Sequence, residues 1–155
     1  MARPPRRSPA LAPAAALVAA LALALAARPA RAQEAFRDFK VVVHPDNPAT
    51  ELDRETLSRL FLKRTLRWPD GTAVQPMEPA GGRAREAFAA QVHRKSPAAV
   101  KSYWTQLIFS GRDVPPLERA SDEEVVAWVR ATRGAVAYVG PGADTAGVRV
   151  LPVRP

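Results

Sequence analysis

The sequence predicts an α/β domain in which a mostly parallel sheet is covered by helices on both faces. Two near-continuous apolar runs, residues 39–43 (FKVVV) and 135–139 (AVAYV), are typical of strands buried on both faces. Segments with apolar residues at helical spacing lie between them. The predicted order is β-α-β-α-α-α-β-β, and strands that alternate with helices favour a parallel sheet with helices packed against it.

The first helix is predicted to begin after Asp53 and to end near Lys63 and Arg64. Asp53 can accept a hydrogen bond from a free N–H group of the first turn, as N-cap residues do. Apolar residues follow at helical spacing: Leu57, Leu60 and Phe61. The segment 68–71 (WPDG) then predicts a turn, and residues 74–77 predict a short second strand.

The second and third helices are predicted on either side of a Ser96-Pro97 pair. Residues 78–82 (EPAGG) form a loop, and residues 83–93 form the second helix. Ser96 and Pro97 open the third helix, because Ser caps a helix and Pro suits its first position. The apolar residues of the third helix also recur at helical spacing: Val100, Tyr103, Trp104, Leu107 and Ile108.

The remaining elements follow a long loop at residues 111–120. Ser121 and Glu124 form a capping box, which predicts the start of a fourth helix. The last two strands are predicted at residues 135–139 and 148–151. No internal repeat is visible, so the whole of this region is interpreted as one domain.

Residues 1–32 have the pattern of a secretory signal peptide. Three arginines open the chain, residues 11–27 form an apolar run, and Ala30-Arg31-Ala32 is a small-x-small cleavage site. We therefore expect cleavage after Ala32 and a mature domain of residues 33–155 that is periplasmic or secreted. The alternative is an uncleaved membrane anchor, because the apolar run is about as long as the shortest spanning helices, roughly 17 residues.

Removal of this leader changes the charge of the chain. Five of the 23 Lys and Arg residues, and none of the 15 Asp and Glu residues, lie in residues 1–32. The remainder therefore has 18 basic and 15 acidic residues, a formal net charge of +3 rather than +8. A nucleic-acid-binding surface should survive in the folded domain, so we expect no nucleic-acid partner. The chain has no Cys, which excludes disulfides and thiol chemistry.

No set of residues typical of an enzyme is visible in the sequence. The two histidines, His44 and His93, are not paired with other ligands at metal-binding spacing. The G-x-S-x-G pattern of serine hydrolases and the G-x-x-x-x-G-K-S/T phosphate loop are both absent. We therefore expect no catalytic residue, no metal and no cofactor.

The loop before the second helix is the segment with a physical rationale for binding. Gly81 and Gly82 precede Arg83 and a predicted helix, whose first N–H groups have no intrahelical partner. Such a helix start favours negative charge, and glycine lets a ligand approach the backbone. The alternative is that Gly81 and Gly82 only make a turn and that Arg83 is solvated.

Several segments, in order, resemble the phosphate-type substrate-binding proteins of ABC transporters. Residues 41–48 (VVVHPDNP) are similar to a family strand that ends in an N/H-P-x-N-P loop, and residues 57–63 (LSRLFLK) with Trp68 are similar to a helix ending in I-F-x-G-K and a following Trp. Residues 134–139 (GAVAYV) resemble the family's G-A-I-G-Y-V strand. Residues 102–111 (SYWTQLIFSG) resemble short exported members. The resemblance covers residues 39–151.

The resemblance implies a three-layer α/β unit, one lobe of a type II periplasmic binding protein, because the chain is too short for the family's two lobes. In the larger relatives the ligand clamp reads R-x-x-x-S-G-T, with Phe four residues after the Thr. Placing Phe88 on that Phe puts Glu78 at the Arg position. The Ser, Gly and Thr positions then fall on Gly82, Arg83 and Ala84. Both hydroxyl donors are absent, and an acid replaces the base.

Two functions follow as hypotheses. In the first, the domain binds phosphate or another small oxyanion for an ABC permease, through Gly81, Gly82, Arg83 and Ala84, with Asn47 on the rim. One lobe buries a ligand poorly, so a homodimer or a partner chain would complete the cleft. In the second, a non-transport envelope protein uses the same lobe for protein contact and binds no solute. The absent clamp residues favour this second hypothesis.

Overall fold

A five-stranded sheet forms the centre of the computed structural model, which describes residues 36–155. The strands are β1 (Lys40–Val43), β2 (Leu52–Asp53), β3 (Gln75–Pro79), β4 (Leu117–Arg119), β5 (Ala135–Val139), β6 (Arg149–Leu151) and β7 (Val153–Arg154). The helices are α1 (Arg54–Phe61), α2 (Arg83–Gln91), α3 (Pro97–Phe109) and α4 (Asp122–Ala131). The leader predicted at residues 1–32 lies outside the described residues.

The strand order in the main sheet is β4-β3-β5-β1-β6. Strand β3 pairs in parallel with both β4 and β5, whereas β1 pairs antiparallel with β5 and β6. Four strands therefore run in one direction and β1 runs against them, which confirms the predicted mainly parallel sheet. Strands β2 and β7 form a separate parallel pair.

Helices cover both faces of the sheet, so the described region has three layers. On one face, α1 and α2 pack over an aromatic cluster in which Phe88 stacks on Tyr138, with ring centroids 3.9 Å apart. Phe61 and Phe39 contact the Phe88 ring at 4.7 Å and 5.2 Å. On the other face, α4 packs through buried valines against Met77 and the small residues of β5. The alternation of side chains along each strand separates the two clusters.

The predicted starts of α1, α3 and α4 agree with the structure because each depends on a local hydrogen bond. The Asp53 carboxylate accepts from the Thr56 N–H group at 2.8 Å, which lowers the pKa of Asp53. The Ser96 hydroxyl accepts from the Ala99 N–H group, and Pro97 occupies the first turn of α3. Ser121 caps α4, as predicted.

The interpretation of residues 78–82 as a loop is wrong at its start, because Glu78 and Pro79 belong to β3. The interpretation of residues 111–120 as a loop is also wrong in part, since β4 lies within it and pairs with β3. Strands β2 and β7 were not predicted. These strands are two or three residues long, and their hydrogen-bond partners lie far along the chain, so no local pattern reveals them.

Helix α3 differs from its prediction in how little of its apolar face is buried. Of the apolar residues at helical spacing, Trp104 is the buried one, and Ile108 is 49% exposed. The next residue, Phe109, is 86% exposed.

None of the helices in residues 36–155 combines the length and the apolar character that a membrane-spanning segment needs.

Candidate functional site

The start of α2 presents open backbone donors, as the sequence predicts. Gly82 is the N-cap residue, and no side chain caps the helix there. Its φ of +88° and ψ of 177° lie in a region that essentially only glycine adopts. The N–H groups of Arg83 and Ala84 have no acceptor within the helix. Gly81, Gly82 and Arg83 are exposed, whereas Ala84 is buried, so the backbone of this turn is open to a small anion.

Arg85 holds the end of β3 and the loop that follows it. One of its terminal nitrogens, Nη1, donates to the carbonyl oxygens of Pro79 and Ala80, at 3.3 Å and 3.0 Å. The other, Nη2, lies 3.3 Å from the Glu78 carboxylate and 2.5 Å from the Glu118 carboxylate. Arg85 thus ties α2 to two neighbouring strands. The sequence does not reveal this role, because its pattern predicts a loop at Glu78 and no strand at residues 117–119.

Glu78, Glu118 and Tyr138 form a polar row across three adjacent strands. Glu78 lies directly opposite Glu118 in the β3–β4 register, and Tyr138 follows Ala137, the β5 partner of Met77. Glu78 is only 4% exposed, and burial raises its pKa to about 7, although Arg85 acts in the opposite direction. Burial and the charge of Glu78 also raise the pKa of Tyr138. Within this row, Glu78 is therefore the buried carboxyl whose protonation changes near neutral pH.

A cavity of about 530 Å³ lies against this polar row, between α2, α3 and the sheet. Its walls are mainly apolar and include Phe88, Val100, Trp104 and Ile108. His93 also lines the cavity. The Nδ1 atom of His93 lies 2.8 Å from the Ser58 hydroxyl, and burial lowers the pKa of His93 to about 4. His93 is therefore neutral at physiological pH.

Asn47 is not brought together with the other predicted ligand residues. It follows β1, whose last residue, Val43, pairs with Val136 near the start of β5. Gly81 and Gly82 follow β3, and they therefore lie at the opposite end of the strands. Asn47 is buried, its side-chain oxygen accepts from the Ala49 N–H group, and its carbonyl oxygen accepts from Arg149. In this structure Asn47 shapes its own loop.

A second basic surface lies on α1. Arg54, Ser58, Arg59 and Arg64 line a groove there. Arg54 donates to the Val92 carbonyl oxygen, whereas Arg59 makes no ion pair within residues 36–155. This groove is a competing location for an anion and supplies a charge-matched control for Arg83.

Within residues 36–155, no group of three or more His, Cys, Asp or Glu side chains could hold a metal ion.

Solved structures with a similar fold include proteins described as phosphate-binding or phosphate-transport proteins. A protein described as a phosphate ABC transporter substrate-binding protein from Clostridium perfringens, with phosphate bound, is 13% identical with a TM-score of 0.57; the match covers 75% of this chain and 44% of that one. PstS from Borrelia burgdorferi is 12% identical with a TM-score of 0.52, over 75% and 47%. A protein described as a phosphate binding protein from Planctomyces limnophilus is 13% identical with a TM-score of 0.55, over 75% and 41%.

These similarities show the fold alone. The matched part of the chain spans less than half the length of each of these solved structures. No protein-family model matches the sequence, and no curated protein matches it. The predicted α/β architecture, a mainly parallel sheet flanked by helices, is confirmed, and it is consistent with one lobe of a periplasmic binding protein.

Proposed function

We propose that the protein is an exported substrate-binding-protein-like domain that binds phosphate or another small oxyanion at the start of α2 and serves an ABC transport system. The observation that carries the proposal is the uncapped turn at Gly82, where the Arg83 and Ala84 N–H groups are free to bind an anion. The similarity of the fold to phosphate-binding transport proteins supports it. A permease partner and a homodimer are parts of the same proposal.

Glu78 sets the conditions under which such a ligand binds best. It is the last-but-one residue of β3, and the loop that holds Gly81 and Gly82 follows directly. A carboxylate near an anion lowers affinity, whereas a protonated carboxyl does not. Because burial raises the pKa of Glu78 to about 7, acidification below that pH removes the repulsion. For an oxyanion whose own charge is constant over this range, we therefore expect stronger binding at pH 6 than at pH 8.

The test is calorimetric titration with phosphate at pH 6 and low salt, on the wild type and on two charge-matched variants. Arg83→Ala removes an exposed cation beside the free N–H groups, and we expect it to weaken binding roughly two- to fivefold. Arg59→Ala removes an exposed cation from the groove on α1 and should leave affinity unchanged. No heat at millimolar phosphate, or weakening by Arg59→Ala alone, would contradict the proposal.

A second candidate function is protein contact in the cell envelope, without a bound solute. It is favoured by four large apolar side chains that are about half exposed or more and lie within residues 108–117: Ile108, Phe109, Val114 and Leu117. This stretch ends at Leu117, the first residue of β4, which is an edge strand of the sheet. Exposed apolar side chains that form a patch mark contact sites, so this cluster in the sequence favours a contact function.

A photo-crosslinking amino acid at position 109, read out in intact cells, tests this second function. Protein contact predicts one discrete crosslinked band, which mass spectrometry assigns to an envelope protein or to a second copy of this chain. The same crosslinker at Glu86, an exposed position on α2, serves as the control. Equal, diffuse crosslinking at both positions would argue against a contact surface at Phe109.

A further inference from the structure

The cavity between α2, α3 and the sheet lies next to the start of α2, since Ala80 and Arg85 line it, but it does not include the Gly82 turn. Gly81, Gly82 and Arg83 do not contribute to its lining. Its volume of about 530 Å³ lies within the range typical of small-molecule sites. Phe88, Trp104 and Ile108 form apolar walls, and the polar row of Glu118, Glu78 and Tyr138 lies at one side. An apolar pocket with a few convergent polar groups is the usual form of a ligand site.

The charged groups that face this cavity do not suit an anion. Arg85 directs Nη1 and Nη2 to four protein oxygens, so its terminal nitrogens are already engaged. With Glu78 ionised, Glu78, Glu118 and Arg85 have a net charge of −1. The other titratable groups in the lining are Tyr138 on β5, His93 after α2 and Lys101 on α3, and the Lys101 side chain is exposed.

We propose that this cavity binds a compact, mainly apolar molecule whose primary ammonium or hydroxyl group donates a hydrogen bond to the Glu78 carboxylate. The apolar part of the ligand would lie against Trp104 and Ile108. A buried carboxylate whose hydrogen-bond acceptors are only partly used gains most from a charge-assisted hydrogen bond. This site differs from the oxyanion site in its contacts and in the charge of its ligand, although the ionisation of Glu78 influences both.

Three probes of similar size and different head group test the proposal: 2-phenylethylamine, 2-phenylethanol and phenylacetate. Each is titrated into the purified protein at pH 8, and the Trp104 indole N–H resonance is followed by nuclear magnetic resonance. Trp68 and Trp128 lie outside the cavity lining and are internal controls. We expect the amine to shift the Trp104 resonance and to bind at least fivefold more tightly than phenylacetate, with the alcohol between them.

Glu78→Gln separates a specific contact from general apolar binding. We expect it to reduce amine affinity about tenfold and to leave the affinity for 2-phenylethanol within twofold. Wild-type amine affinity should also rise from pH 6 to pH 8, as Glu78 ionises, and the Glu78→Gln variant should lose that dependence. Ala98→Phe, at an exposed position in the lining, gives a second test, because it should block all three probes without affecting the core.

Equal affinity for the amine and phenylacetate would overturn the proposal, as would amine binding that Glu78→Gln leaves unchanged. Absence of any Trp104 shift at millimolar amine would overturn it as well. Millimolar phosphate should not displace the amine. That arm distinguishes the two proposals, since phosphate binding can fail while amine binding succeeds, and the reverse.

Discussion

Glu78 and His93 affect stability in opposite directions as pH changes. Burial raises the pKa of Glu78 to about 7. Between about pH 4.5 and 7 the folded state therefore retains a proton that the unfolded chain has released. The free energy of unfolding falls as pH rises through this range. Burial lowers the pKa of His93 to about 4, so the unfolded chain gains a proton that the folded state does not, and the free energy of unfolding falls as pH drops from 6.5 to about 4. Each contribution amounts to about 3 kcal/mol over its range.

Single variants should reveal these opposed contributions. On acidification from pH 6.5 to 5, Glu78→Gln should lose about 2 kcal/mol relative to the wild type, because only the His93 contribution remains. Over the same interval, His93→Gln should gain about 2 kcal/mol relative to the wild type, because only the Glu78 contribution remains. Urea unfolding followed by Trp fluorescence measures both. If the two variants kept the wild-type pH dependence, the burial of these side chains would be misassigned.

At the scale of elements, the turn into α2 depends on a conformation that only one of its two glycines needs. Gly82 has a φ of +88°, whereas the φ of Gly81 lies outside the left-handed range, and neither position would clash with a Cβ atom. Gly82→Ala should therefore destabilise the fold by about 1–3 kcal/mol through backbone strain. Gly81→Ala should change the free energy of unfolding by less than about 0.5 kcal/mol.

Thermal unfolding of the two alanine variants distinguishes strain from a general effect of adding a methyl group. Equal destabilisation by both would mean that the turn has no special backbone requirement at Gly82. A folded Gly82→Ala variant is also informative for binding, because a distorted turn would misplace the Arg83 and Ala84 N–H groups. In that case oxyanion affinity should fall, whereas binding of an amine in the cavity should not.

The elements that could be predicted from the sequence are those fixed by local interactions. Caps such as Asp53 and Ser121 act within one helical turn, and β5 is recognisable because all five of its residues are apolar and buried. The antiparallel direction of β1 and the existence of β4 depend on partners far along the chain. No local pattern in the sequence encodes them.

The same distinction applies to the candidate site. The open start of α2 could be predicted because glycines and a following helix are local features. The polar row could not, since Glu78 and Glu118 become neighbours only through strand pairing. Asn47 is predicted on the rim of the glycine loop, but β1 runs antiparallel to its neighbours. This direction places Asn47 at the other end of the strands.

At the scale of the whole molecule, the matched part of the chain spans less than half the length of the solved structures whose fold it shares. The start of α2 is exposed to solvent, so a small ligand bound there would keep much of its contact with water. We therefore expect weak oxyanion binding unless a second chain covers the ligand. This expectation links the homodimer and permease partners to affinity rather than to stability.

A residue-resolved map of phosphate binding at pH 6 tests most directly whether an oxyanion binds at the start of α2. Backbone amide resonances are followed by nuclear magnetic resonance while phosphate is added at constant ionic strength. Oxyanion binding at the start of α2 predicts saturable shifts centred on the amides of Gly82, Arg83 and Ala84. Saturable shifts centred instead on Ser58 and Arg59, or no saturable shift at any amide, would contradict it.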